Sequence, residues 1–411
     1  MLQVNSINSV VNEAFGNNIE LLPSVTELFE LELAFMEFKQ LHKHKLLERS
    51  AYIKSFNNQY SRHFLMYSEM PESLSSNRSV ITKSYFENGQ FSTVYATHGL
   101  FPYRGKFHPQ LIKGLINIIG IEENDIILDP MAGSGTTNIE AALMGINSIA
   151  IDISPFCQLM IETKYNALSI NLDLLNKSRL TQKGLFTFFS KSGILGRINE
   201  IEDNKKKIYQ LAFLAYLDAL GYSKRTVKSN HEQLFGKVLT RYIETIKLFL
   251  RNPYYEPGKT GKLIILHNSD ALQTGLNDNS IDAVITSPPY SFAIDYIEND
   301  KDQLEFLGYN STLLKNRLIG LRGKTKNEKI DNYFRDMDLF CSEVSRVLKK
   351  GKHFILIIGS NTNQTKGIRL EKNIIDSSVK YEMPLVKSIL KPIKGMRNTM
   401  KDEYILIFQK S

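Results

Sequence analysis

Ile126-Ile127-Leu128-Asp129-Pro130-Met131-Ala132-Gly133-Ser134-Gly135-Thr136-Thr137 reads as a short buried strand running into a glycine-rich turn. The two glycines let the backbone turn off the strand and approach a ligand with no Cβ in the way. The helix predicted at 138–144 would offer unpaired amides at its N-terminus, which suit a negative group such as a carboxylate. The spacing is not G-x-G-x-x-G and the loop lacks the Lys of a P-loop, which argues against a dinucleotide and a nucleoside triphosphate. Gly145 stops the helix, and residues 148–151 form a second strand closed by Asp152, placed to accept hydrogen bonds from ribose hydroxyls. Strand, glycine loop, helix, strand and acid together open a Rossmann-like α/β unit.

Downstream, an apolar strand at 283–286 ends in Ser287-Pro288-Pro289-Tyr290. In open α/β sheets that strand end faces the ligand crevice. Two prolines fix φ and remove two donors, so carbonyls remain aimed in set directions. Such acceptors suit an amino group, which donates both protons as its lone pair turns towards an electrophile. Tyr290 adds a flat face on which an extruded base can stack. In isolation the tetrapeptide reads equally as a surface turn or a polyproline ligand; its place after a strand, downstream of the glycine loop, favours the site. Asp270, beyond a strand at 263–266, is placed to bond an adenine amino group, and on its own equally suits a cap or turn.

The rest of the chain bounds these readings. Its 411 residues allow two or three domains, and 42% hydrophobic with 23% charged composition is that of a soluble globular protein. No apolar run reaches bilayer length, and the first residues lack the basic start and apolar core of a signal peptide, so no membrane is expected and the cytoplasm is. Cys157 and Cys341 are too few for a disulfide framework or a Cys-rich zinc site and read as buried small hydrophobes. The net charge of +8 favours a polyanionic partner without deciding it.

Residues 20–50 predict one amphipathic helix capped by Ser24 and Glu27. Glu37-Phe38-Lys39 within it superficially matches a nuclease E-x-K element, but no Pro-Asp precedes it. Residues 51–105 look irregular. An N-terminal helical and irregular region at 1–90 would precede a main domain at 91–411, with a helical insertion at about 165–260 interrupting the strand alternation. After the tetrapeptide come a basic stretch at 315–329, a helix at 332–348, an apolar strand at 354–358 and two final strands joined by a basic loop.

These motifs resemble those of the DNA amino-methyltransferases that act on cytosine N4 or adenine N6. Asp129 to Thr137 is similar to that family's cofactor motif, and Ser287 to Tyr290 to its catalytic tetrapeptide. Phe101 to Pro109, with Lys106 and His108, is similar to the segment that packs over the methionine part of the cofactor. The resemblance implies an α/β class I methyltransferase, a Rossmann-like fold whose mostly parallel sheet ends in an antiparallel strand pair. It implies S-adenosylmethionine as cofactor, with no metal, and double-stranded DNA with one base extruded as partner. A companion restriction endonuclease belongs to the same expectation. Lys106, His108, Asp129, Gly133, Ser134, Gly135, Thr136, Asp152 and Asp270 would hold the cofactor, and Ser287, Pro288, Pro289 and Tyr290 the target base. Ser at the first tetrapeptide position favours cytosine N4, with adenine N6 the alternative. An RNA base N-methyltransferase and a non-catalytic nucleic-acid-binding protein of the same fold stay open.

Three basic segments compete for nucleic-acid contact: Lys224, Arg225 and Lys228; Arg317, Arg322, Lys324, Lys326 and Lys329; and Lys391, Lys394, Arg397 and Lys401. The second lies nearest the tetrapeptide in sequence. Phosphate contacts there would give salt-dependent affinity without sequence specificity.

Overall fold

The structure is a computed structural model that describes residues 11, 13–67, 95–103, 105–177, 182–191, 193–225, 230–289, 296–320, 322–360, 369–392 and 402–411. Tyr290, Lys228, Lys394, Arg397 and Lys401 lie outside the described residues.

The N-terminal region departs from the single helix expected at 20–50. It forms β1 (Ile19–Leu21), α1 (Leu28–Gln40), α2 (Lys43–Arg49), β2 (Ile53–Phe56) and β3 (Gln59–Tyr60). Antiparallel pairing of β1 with β2 takes residues 19–21 out of the helical pattern, so long-range pairing overrides local periodicity. Leu41 and His42 are extended, with ψ of 128° and 150°, and separate the two helices. The start of α1 is closed by Glu30, whose Oε2 accepts from the amides of Thr26 at 2.7 Å and Glu27 at 2.9 Å; the Ser24–Glu27 box is not formed.

Glu37, the acid of the E-x-K triplet, is fully buried. It accepts from the amides of Ala51 (2.7 Å) and Tyr52 (3.1 Å) and from Asn117 Nδ2 (2.6 Å). Burial pushes its carboxyl up to about 7, against the pull of those donors. Glu37 thus joins the N-terminal region to the main sheet's first helix. Glu37→Ala leaves those buried donors without an acceptor and is expected to cost about 3 kcal/mol. A denaturant midpoint equal to the wild type's would contradict that role.

The main domain follows as α3 (Pro109–Ile118), β4 (Ile126–Asp129), α4 (Thr136–Leu143), β5 (Asn147–Ala150) and α5 (Pro155–Ala167). Helices at Leu172–Lys177, Gln182–Phe189 and Ile194–Asn199, then α6 (Asp203–Arg225) and α7 (His231–Leu250), fill the expected insertion. The sheet resumes with β6 (Leu263–Ile265) and β7 (Ile281–Thr286), then α8 (Lys326–Val347), β8 (Leu348–Ser360), α9 (Leu370–Lys380), β9 (Leu385–Pro392) and β10 (Asp402–Gln409). α8 starts earlier than expected because Thr325 and Glu328 form a capping box, so the basic run at 315–329 is split between a loop and a helix start.

The sheet order is β6-β5-β4-β7-β8-β10-β9. Strands β6, β5, β4, β7 and β8 pair in parallel, and β10 runs antiparallel to both β8 and β9. This is the Rossmann-like class I methyltransferase arrangement expected from the sequence. Alternate residues face opposite layers: Ile127, Ala283, Ile285, Ile355 and Ile357 meet α3, and Leu128, Val284, Phe354, Leu356 and Ile358 meet α8 and α9. From β4 the order runs outward to β5 and β6 on one side and to β7 and β8 on the other. The crevice of such a sheet opens at that reversal, beyond the ends of β4 and β7. Both free cysteines are buried. No helix among the described residues is long and apolar enough to cross a membrane.

Candidate active site

Adjacent parallel strands deliver the two motifs side by side. Asp129 ends β4 and Thr286 ends β7, and Thr286 Oγ1 donates to Asp129 Oδ1 at 2.7 Å. Asp129 is buried, also accepts from the Met131 amide at 3.3 Å, and has its carboxyl pushed up to about 7 by burial. It is not in the wall of the cleft; it ties the base of the glycine loop to the residue before Ser287.

Beyond the ends of these strands lies a partly open cleft. Gly133, Ser134, Thr136, Asp152, Lys106, Asp270, Ser287 and Pro289 all line it. Gly133 (φ 51°) and Gly135 (φ 76°) take left-handed backbone. A Cβ on Gly135 would stand 2.8 Å from Ile161 Cγ1, so Gly135 serves helix packing behind the loop rather than the cleft surface. The fully buried Lys164 donates to the Ser134 carbonyl at 3.0 Å and supports the loop from beneath, a role no spacing in the sequence announces.

Asp152 Oδ2 accepts from the Gly133 amide and Oδ1 from the Ser154 amide, both at 2.8 Å. Burial outweighs those two donors and pushes its carboxyl up to about 6. Lys106 donates to the His98 carbonyl at 2.9 Å, and burial pushes its ammonium down to about 8. Asp270 Oδ1 accepts from the Leu272 amide at 2.9 Å, and its Oδ2 lies 3.9 Å from Arg317. His108 is displaced from its expected place. It caps α3 and lines a neighbouring depression with Phe29, Tyr52 and Lys391, where burial pushes its imidazole down to about 3.

Other walls come from residues to which the sequence assigns no cofactor role: Tyr103 beside the glycine loop, Tyr296 and the buried Asp300 after the tetrapeptide, and Leu318 and Ile319 within the basic stretch. The Phe101 to Pro109 segment carries a signal through its likeness to a cofactor-covering segment, and Tyr296 through its place beside Asp295 just after the tetrapeptide. A cation, a glycine loop with a helix N-terminus, a strand-end acid and apolar walls at Met131, Ile153 and Ile319 fit a zwitterionic nucleoside cofactor such as S-adenosylmethionine.

The basic candidates scatter. Lys224 pairs with Asp302 at 3.0 Å, and the Arg225 side chain is not among those described. Arg317 stands in the wall of the cleft rather than on an outer face. Arg322 is ion-paired to Asp336, a buried carboxylate, which makes it a structural residue rather than a phosphate contact. Lys391 pairs with Glu403. Lys324 and Lys326 are exposed, and Lys329 is half-buried.

Residues 281–411 match the family model described as DNA methylase, and residues 100–209 one described as an RMKL-like methyltransferase domain. The chain is 24% identical over 303 residues to the type II methyltransferase M.BsoBI of Geobacillus stearothermophilus, covering 59% of this chain and 60% of that one. It is 24% identical over 341 residues to the type II methyltransferase M.AvaI of Nostoc sp., covering 70% of this chain and 69% of that one. Among solved structures it is similar to a SAM-dependent methyltransferase of Methanosarcina mazei, at 13% identity and a TM-score of 0.32, covering 71% of this chain and 94% of that one.

Proposed function

We propose that the chain is a DNA amino-methyltransferase, as its DNA methylase match over residues 281–411 and its likeness to type II methyltransferases support, and that it transfers a methyl group from S-adenosylmethionine to an exocyclic amino nitrogen of a DNA base. Cytosine N4 is the preferred acceptor and adenine N6 the alternative, and the activity is read as the modification half of a restriction system. The observation that carries the reading is that Gly133, Asp152 and Ser287 line one cleft, with the two motif strands tied by the Thr286–Asp129 hydrogen bond.

Lys106 and the amides at the start of α4 would hold the methionine carboxylate, Asp152 the ribose hydroxyls and Asp270 the adenine amino group. When bound, the cofactor supplies an electrophilic methyl on a sulfonium. The chain's own contribution is then positional. An aromatic amine is a poor nucleophile because its lone pair is spread into the ring. The Ser287 hydroxyl and the Pro288 carbonyl would accept hydrogen bonds from its two N–H groups, draw the nitrogen towards tetrahedral geometry and aim the lone pair along the line of displacement; as the N–C bond forms and the S–C bond breaks, one of those protons leaves to solvent. Tyr290 would stack on the extruded base. Of the basic residues, Lys324 and Lys326 are the proposed phosphate contacts.

An ionised Asp152 accepts ribose hydroxyls best, so cofactor binding favours the deprotonated carboxyl and releases a proton below its free value of about 6. Cofactor affinity is therefore expected to rise by up to about tenfold per pH unit as pH climbs towards 6, and to level off above 7. Titration calorimetry from pH 5 to 8 reads this. The same profile in Asp152→Asn would remove Asp152 from the role. Transfer of labelled methyl to duplex DNA tests the reading as a whole. Transfer to RNA and not to DNA would replace the substrate class.

A further inference from the structure

We propose that the helical insertion supplies positioning residues for the cofactor cleft: Tyr242 and Asp218 hold Phe101 in the backbone conformation that sets Tyr103 beside the glycine loop. The inference rests on the cofactor reading given above.

Phe101 has φ 60°, in the left-handed region that a bulky residue adopts only when its surroundings impose it. Its amide donates to Tyr242 Oη at 2.7 Å. The Tyr242 hydroxyl in turn donates to Asp218 Oδ2 at 3.0 Å, and Arg241 donates to the same oxygen at 2.9 Å. Tyr242 is fully buried and Asp218 nearly so. The relay therefore runs from α6 through α7 to the segment before α3, in a region where an unmade hydrogen bond is costly.

A tight turn carries that hold into the cleft. The Tyr103 amide donates to the Phe101 carbonyl at 2.9 Å, and the Phe101 ring is fixed edge-on against Phe156 at 4.9 Å. Tyr103 then stands in the wall of the cleft, so close to the loop that a Cβ on Gly133 would meet its ring at 3.4 Å. Its ring lies parallel to that of Tyr296 with centroids 6.5 Å apart, and its hydroxyl accepts from Cys157 Sγ at 3.5 Å. A second anchor joins the insertion to the segment that carries Tyr296 and Asp300. Gln303 donates to the Leu217 carbonyl at 3.1 Å and Lys224 pairs with Asp302 at 3.0 Å, both just beyond Asp300 in the cleft. The insertion thus grips the cleft at two points, from a part of the chain that among the described residues contributes no side chain to its lining.

The test uses the full-length chain. Tyr242→Phe keeps the ring and removes only the hydroxyl. It is expected to raise the Kd for S-adenosylhomocysteine and the KM for S-adenosylmethionine about 5- to 10-fold, the worth of one buried hydrogen bond. The KM for DNA should stay within about twofold. Amide exchange measured without cofactor should quicken at Phe101 and Tyr103 in Tyr242→Phe while α6 and α7 stay protected. Faster exchange there with unchanged cofactor affinity would overturn the proposal, as would equal losses for cofactor and DNA with protection lost throughout. A wild-type protein that binds no S-adenosylhomocysteine would sink the methyl-transfer reading instead. Exchange at Phe101 and Tyr103 would then decide the brace alone: faster in Tyr242→Phe upholds it, and unchanged overturns it.

Discussion

Ser287→Ala is expected to lower the rate of methyl transfer by about 10² to 10³ while cofactor affinity stays near wild type. The hydroxyl is one of two acceptors proposed for the amine, and its loss leaves one of the two protons without a partner as the lone pair turns. The hydrogen bonds that hold Gly133, Asp152 and Lys106 do not involve Ser287, so truncating it leaves them in place. Thr286, which ties β7 to Asp129, is also untouched. Single-turnover transfer and equilibrium cofactor binding on the same preparation separate the two effects. Loss of cofactor binding in a folded Ser287→Ala protein would overturn the division of roles.

Gly135→Val should do the reverse. Gly135 holds φ 76°, which a β-branched residue reaches only at a cost, and its Cβ would sit 2.8 Å from Ile161 Cγ1. Backbone strain and overpacking together amount to about 3 kcal/mol or more. The strain falls on the residue that caps α4, so the amides from Gly133 to Thr136 lose their alignment. Cofactor binding is expected to drop by at least about 100-fold, with a lower melting temperature by calorimetry. A variant that keeps wild-type affinity would mean that the loop does not hold the cofactor.

Much of the fold was legible because its signals are local. β4, the glycine loop, α4 and β5 follow from one continuous stretch in which apolar strands alternate with turn residues. Their parallel order follows from the alternation of strand and helix. The N-terminal region was misread because the pairing that breaks its helix joins Ile19–Leu21 to Ile53–Phe56, which no periodicity reports. The helix at 332–348 was placed late because the basic residues before it looked like a loop, while Thr325 and Glu328 cap a start at Lys326.

At the site, residues tied to a motif were legible in kind, but their individual duties were not. Asp129 and Gly135 belong to the loop's foundation, and His108 faces a different depression. Tyr103, Tyr296, Asp300 and Ile319 line the cleft from three separate segments, and only folding brings them together. Charge misled where its partner was distant in sequence or buried. Arg322 pairs with the buried Asp336, and Arg317 lies 3.9 Å from Asp270; neither partner is near its arginine in the sequence pattern.

The central claim is that this cleft methylates an amino group of a base in DNA. Nucleoside mass spectrometry of DNA from cells expressing the protein tests it most directly, with cells expressing Ser287→Ala as the control. The account predicts N4-methylcytosine with the wild type and none with the variant; N6-methyladenine with the same dependence would keep the chemistry and change the base. DNA free of both marks, from cells holding folded protein that binds S-adenosylmethionine, would contradict the account.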